Sequence, residues 1–78
     1  MTPGQCRMAR AALRWSTRDL AREASVGVNT VSRFETGENA HDSTIRLMRT
    51  TLEAAGIIFI EADETAGPGV RLRDPHWR

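Results

Sequence analysis

Residues 27–37, GVNTVSRFETG, place Val28, Val31 and Phe34 at helical spacing and set Asn29, Ser32 and Arg33 between them. The apolar positions suit one buried face of a short helix, which leaves the polar side chains on the other. Their chemistry is recognition rather than turnover. An asparagine amide donates and accepts in one plane, an arginine guanidinium presents a rigid fork of donors, and a serine hydroxyl does either. Such groups match base edges, phosphates and carboxylates, and a plain solvated helix face uses the same residue types. Nothing in the sequence points to catalysis. The two histidines, His41 and His76, fall in loops with no nucleophile and no metal-ligand spacing around them. Cys6 is the single cysteine, so no intrachain disulfide is possible, and within CRMARAAL it reads as a small apolar side chain. No catalytic residue, metal or cofactor is expected.

The 78 residues make one small domain, whose core confers only marginal stability, so extra burial against a partner is expected. No apolar run approaches the ~18 residues that cross a bilayer, and MTPGQCRMAR lacks the basic-then-apolar plan of a secretory signal. A cytoplasmic protein with no membrane partner is the expectation. The net charge of +1 is far from the strong basic excess of many nucleic-acid binders. Its distribution is uneven: residues 1–50 hold eight arginines against five acids, and residues 51–78 three against five. One half suits a phosphate surface and the other does not. There is no lysine, so every cation is a planar fork that fits phosphate or guanine edges, although a compositional preference for arginine explains the same pattern without a ligand.

These side chains need elements to position them. Thr2-Pro3-Gly4-Gln5 opens a first helix, with Thr2 as N-cap, Pro at the first helical position and Gln closing a capping box. It runs to about Leu13 with Cys6, Ala9 and Leu13 on one face. Ser16 caps a second helix whose buried face is Leu20, Ala21 and Ala24, with Asp19 favoured by the helix dipole. Ser25-Val26-Gly27 breaks it, and a third helix runs from about Val28 to Thr36, stopped by Gly37. After the loop ENAHD, Asp42 or Ser43 caps a fourth helix, whose stripe is Ile45, Met48, Leu52 and Ala55, and Gly56 ends it. The period then changes. IIFIE and VRLR flank the turn-rich ADETAGPG, so residues 57–73 read as a β-hairpin and 74–78 as a loosely held tail. The fold class expected is mainly α, with residues 1–56 as a four-helix core and the hairpin appended.

Two short helices joined by a tight turn must cross steeply. Leu20 and Ala24 line the first, Ala21 is small where the second crosses above it, Val26 plugs the corner, and Val31 and Phe34 anchor the second. Together they meet the helix-turn-helix requirement. Through Leu20-Ala21, Ala24, Val26, Thr30-Val31, Arg33-Phe34-Glu35 and Gly37 the chain resembles the Cro/repressor-type (xenobiotic-response-element) regulators, which have a lambda-repressor-like domain. The likeness covers about residues 6–56, and the later GIIFIE…GPGVRLR is similar to the ending of small bacterial single-domain members.

The resemblance implies a dimeric transcriptional regulator of double-stranded DNA, with the third helix in the major groove. With Val31 and Phe34 inward, Val28, Asn29, Ser32 and Arg33 are then the base-contacting candidates: Asn29 toward adenine, Arg33 toward guanine, Val28 toward a thymine methyl, and Ser32 toward a base or a phosphate. Thr17 at the second helix N-terminus, with Arg18, Arg22 and Asn39, supplies phosphate contacts. Relatives often carry Gln at position 17, and the shorter Thr implies a weaker or water-bridged contact. Relatives also join an Arg of the first helix to a Glu ending the third, which implies a structural ion pair between Arg10 and Glu35. Two positions depart from the pattern. Ser25 stands where Gly is usual and must take a positive φ, and Gly27 stands where Ser is usual, leaving Gly27 or Asn29 as cap of the third helix.

The hairpin raises a separate question, because Ile57, Ile58, Phe59 and Ile60 put apolar groups on both faces and four short helices cover only one. A second copy about a two-fold axis would cover the other, with Leu47 joining the interface. Trp15 reads as packing at the corner of the first two helices, and Trp77 as either free tail or a cap over the hairpin. The rival reading is an antitoxin or antiactivator that binds another protein through IIFI or the third helix.

Overall fold

The computed structural model describes residues 1–76, and the reading of Trp77 lies outside them. Four helices, α1 (Pro3–Leu13), α2 (Thr17–Ala24), α3 (Val28–Glu35) and α4 (Asp42–Ala54), precede an antiparallel hairpin of β1 (Ile57–Ile60) and β2 (Gly69–Leu72). The protein is thus mainly α with a C-terminal hairpin.

Local chemistry fixes most boundaries. Thr2 and Ser16 cap α1 and α2 in reciprocal boxes with Gln5 and Asp19. The Ser16 backbone N–H, then its hydroxyl and then Arg22, hold the Asp19 carboxyl below its ordinary pKa. The first three helices end in one way. A residue with positive φ lets two backbone N–H groups turn back on the last carbonyls: Trp15 to Arg10 and Arg14 to Ala11, Val26 to Ala21 and Ser25 to Arg22, Glu38 to Arg33 and Gly37 to Phe34. At α3 that residue is Gly37, at φ 95°, but at α1 and α2 it is Arg14 at φ 58° and Ser25 at φ 57°. The helix cap that the sequence left open is Gly27, in extended backbone and with no side-chain acceptor, so Asn29 lies inside α3. At α4 the expectation of an Asp42 or Ser43 cap is corrected. His41 takes the position without a side-chain bond, which admits Asp42 to the first turn, where its charge favours the helix.

Cys6, Ala9, Leu20, Ala21, Ala24, Val31, Phe34, Met48, Leu52 and Ile57 form one core, with Leu13, Trp15, Val26, Ile45, Phe59, Val70 and Leu72 packed around it. Strand alternation divides the run IIFI. Ile57 is 2% exposed and Phe59 half-buried, while Ile58 and Ile60 are 40% and 43% exposed. Ile57 and Phe59 therefore belong to the protein's own core, which corrects their assignment to an interface between copies; Arg49 lies over the Phe59 ring, 4.8 Å from its centroid. Of that assignment Ile58, Ile60 and Leu47 remain exposed.

One buried polar side chain, Gln5, joins the hairpin to the helices. Beyond its capping bonds it donates through Nε2 to the carbonyls of Ile60 and Gly69, each at 3.0 Å, and these two residues face each other across the sheet.

Because Ser25 holds a left-handed conformation that glycine adopts freely, Ser25→Gly is expected to stabilise the fold by about 1 kcal/mol. A thermal melt should show a midpoint about 4–8 °C higher; an unchanged midpoint would mean that Ser25 is not strained there.

Candidate nucleic-acid interface

The outer face of α3 follows from what its inner face does. Val31 and Phe34 are buried, and Glu35 is 6% exposed with its carboxylate turned toward α1. Arg10 grips that carboxylate with two nitrogens, Nε to Oε2 at 2.6 Å and Nη2 to Oε1 at 2.7 Å, and uses Nη1 to hold the Trp15 carbonyl at 3.0 Å. The Cys6 thiol donates to Oε2 at 3.2 Å. Burial, and then that bond to a carboxylate, push the thiol pKa up to about 12, so Cys6 stays protonated as a donor and is no nucleophile. The bond to Glu35 likewise raises the Arg10 pKa, so the guanidinium keeps its charge. Arg7, one turn before Arg10, donates to the backbone carbonyl of Glu35.

With its inner face so held, α3 turns Asn29, Ser32 and Arg33 to solvent. None of the three side chains makes a hydrogen bond or ion pair among the described residues, and neither the hairpin nor any other element covers them. Val28 differs from the other three: it is half-buried and packs against the core, so only part of its side chain faces outward. It lies three residues before Val31 and seven before Glu35, at the edge of the inner face of α3.

A cleft flanks α3 on each side. One, of ≈ 630 Å³, is lined by Arg7, Thr17, Ser32 and Thr36 among others; the second, of ≈ 420 Å³, by Thr30, Arg33, Asn39, His41 and Thr44. The structure thus brings Thr17 and Ser32 together on one flank and Arg33 and Asn39 together on the other. Arg18 is exposed with no carboxylate partner among the described residues. Arg22 is engaged, by Asp19 at 3.1 Å and Glu23 at 3.6 Å, but at 67% exposure such pairs are weak and readily exchanged. No cluster of three or more metal-ligating side chains occurs among the described residues, and no described helix is long and apolar enough to cross a membrane.

Sequence reasoning passed over two residues that shape this face. Arg7 carried a usable signal, since it lies three positions before Arg10 and so on the same side of α1. His41 carried none, its place being set by where α4 begins. Comparison with protein-family models and with curated proteins returns no match for this chain.

Replacing Arg10 with Met should strand the Glu35 carboxylate in the core and cost about 3–5 kcal/mol in urea unfolding. The double replacement Arg10→Met with Glu35→Leu should recover a large part of that loss. Additive losses would show that the pair is not what holds α3.

Proposed function

We propose that α2, the turn at residues 25–27 and α3 form a helix-turn-helix, and that the protein is a homodimeric, sequence-specific regulator of transcription that binds double-stranded DNA. The observation that carries this reading is the division of α3: Val31, Phe34 and Glu35 are committed to the core, while Asn29, Ser32 and Arg33 are exposed and unpaired among the described residues. Asn29 offers both amide groups to adenine and Arg33 its fork to guanine O6 and N7. The clefts beside α3 suit the two sugar–phosphate strands that border a major groove, with Thr17 and Ser32 on one side and Asn39 on the other. Arg18 and Arg22 add charge on the outer face of α2.

The dimer part of the reading rests on Ile58, Ile60 and Leu47, large apolar side chains left exposed on a protein whose small core gains from further burial. A two-fold pair would set two copies of α3 about one DNA turn apart, ~34 Å.

Selection of bound sites from random duplexes should return a palindrome with half-sites ~10 base pairs apart. In the same assay Arg33→Ala should lose preference at one position of each half-site, about 1–3 kcal/mol, and keep weak binding to any duplex. A steep fall of affinity with salt is expected. Capture of a protein partner with no salt-dependent duplex binding would favour the antitoxin or antiactivator reading instead. The thermal midpoint should rise with protein concentration, and Ile58→Glu should abolish that rise without unfolding the monomer; melting independent of concentration in the parent protein would argue for a monomer.

A further inference from the structure

We infer that the larger cleft beside α3 is a seat for one backbone phosphate of a DNA strand, and that Arg7, on α1, is the cation that fills it. This rests on the reading of α3 as the helix that enters a duplex groove, and it adds a residue from outside the helix-turn-helix.

Three observations converge on Arg7. Its side chain is exposed and has no carboxylate partner among the described residues, unlike Arg10, Arg22 and Arg49. It is nonetheless aimed: one guanidinium nitrogen, Nη1, donates to the backbone carbonyl of Glu35 at the end of α3. The remaining N–H groups stay available, and a guanidinium anchored by one donor loses less freedom when the others bind. The third observation is the company it keeps. The ≈ 630 Å³ cleft that Arg7 lines also holds Thr17 of α2 and Ser32 of α3, whose hydroxyls make no hydrogen bond among the described residues, so two free hydroxyls share the space with one cation, while the Thr36 hydroxyl at its edge donates to the Arg33 carbonyl.

Glu35 also borders the cleft, yet its carboxylate is turned to Arg10 and Cys6 and is 6% exposed, so the free charge of the cleft is positive. A single oxyanion with several acceptor atoms is the ligand that such a set recognises, and a phosphodiester running beside α3 presents one at this position. Ser32 is thereby assigned to the phosphate and not to a base edge. Asn29 and Arg33 remain as readers, and a guanidinium fixed to the frame of α3 sets how deep that helix enters the groove. The contact carries no sequence information; it fixes register and orientation.

The experiment compares the full-length chain with Arg7→Gln, which keeps an amide donor for the Glu35 carbonyl, and with Arg7→Lys. Affinity for the selected duplex and for a scrambled duplex is measured across a salt series, with a thermal melt of each variant. For Arg7→Gln the slope of log affinity against log salt should become shallower by about 0.9 per copy of the chain, with the ratio of selected to scrambled affinity unchanged and the fold intact. Arg7→Lys should keep most of the slope. A parent protein that binds DNA steeply, paired with an Arg7→Gln variant of equal slope, overturns the seat while leaving α3 as the reader. A lost ratio at constant slope overturns it too, by making Arg7 a base contact. A parent chain that binds no duplex overturns both readings together.

Discussion

The Glu35 carboxylate is where the hold on α3 and the freedom of its outer face are decided together. A helix of eight residues whose N-cap offers no side-chain acceptor has little stability of its own. Val31 and Phe34 press it onto the core, but apolar contacts alone resist rotation about the helix axis poorly. The bidentate Arg10 pair is directional, with distances of 2.6 and 2.7 Å, and the Arg7 bond to the Glu35 carbonyl adds a second fixed point at the same end. Burying a charge pair is expensive, and a well-packed apolar pair of equal volume often stabilises as much or more. What the ion pair adds is orientation. Every acceptor is satisfied, since the Cys6 thiol takes the second bond at Oε2 and no buried side-chain polar atom among the described residues is left without a partner. The outer side chains of α3 are therefore not needed to hold it in place.

From that clamp the dependence runs back into α1, which acts as the frame for everything else. Cys6 and Ala9 face the core, Arg10 and Arg7 reach α3, and Gln5 reaches the hairpin. The Gln5 amide bridges the carbonyls of Ile60 and Gly69 at the loop end of the sheet, where a two-stranded ribbon would otherwise fray. Its carboxamide oxygen meanwhile caps the Thr2 backbone N–H at 2.9 Å. One side chain thus starts α1 and pins the hairpin to it. The loop of the hairpin is ordered by its own chemistry: Asp63 Oδ1 accepts from the hydroxyl and backbone N–H of Thr65 and from the N–H of Ala66.

The parts of this fold that the sequence makes legible are those with local causes. Thr2, Ser16, Gly37 and Gly56 announce helix ends because a cap or a positive φ acts within a few residues. Arg14 closes α1 in the same left-handed geometry without the glycine that would advertise it, and His41 takes the cap of α4 ahead of better cap residues, with Asp42 in the first turn. The run IIFI is illegible in another way. Four consecutive apolar residues carry no alternation, so only packing of β1 against α4 and the core reveals that Ile57 and Phe59 face inward. The candidate site was legible where residue type and helical period agree, at Asn29, Ser32 and Arg33. It was ambiguous at Val28, which shares the spacing of the inward Val31 and is half-buried, and silent at His41; in the fold, the hairpin contacts of Gln5 were equally hidden, because its partners lie 55 and 64 residues away.

Charge placement gives the proposed complex its direction. With a net charge of +1 the chain has no strong general attraction for a polyanion, so its field orients more than it concentrates. Arg7, Arg18 and Arg33 stand on or beside the α2 and α3 surface, while Glu61, Asp63 and Glu64 gather at the far end of β1 and its loop. The outer face of the hairpin is mixed in charge, since Arg71 stands opposite Ile58 with Arg73 beyond it, and Glu61 is paired with Arg49. Ile58 and Ile60 are exposed on that outer face, which a second copy would cover in the proposed dimer. In the proposed function the groups that would recognise DNA and those that would recognise a twin lie on separate elements, α3 and β1, both tied to α1 through Arg10 and Gln5, so the two partners would not compete for one surface.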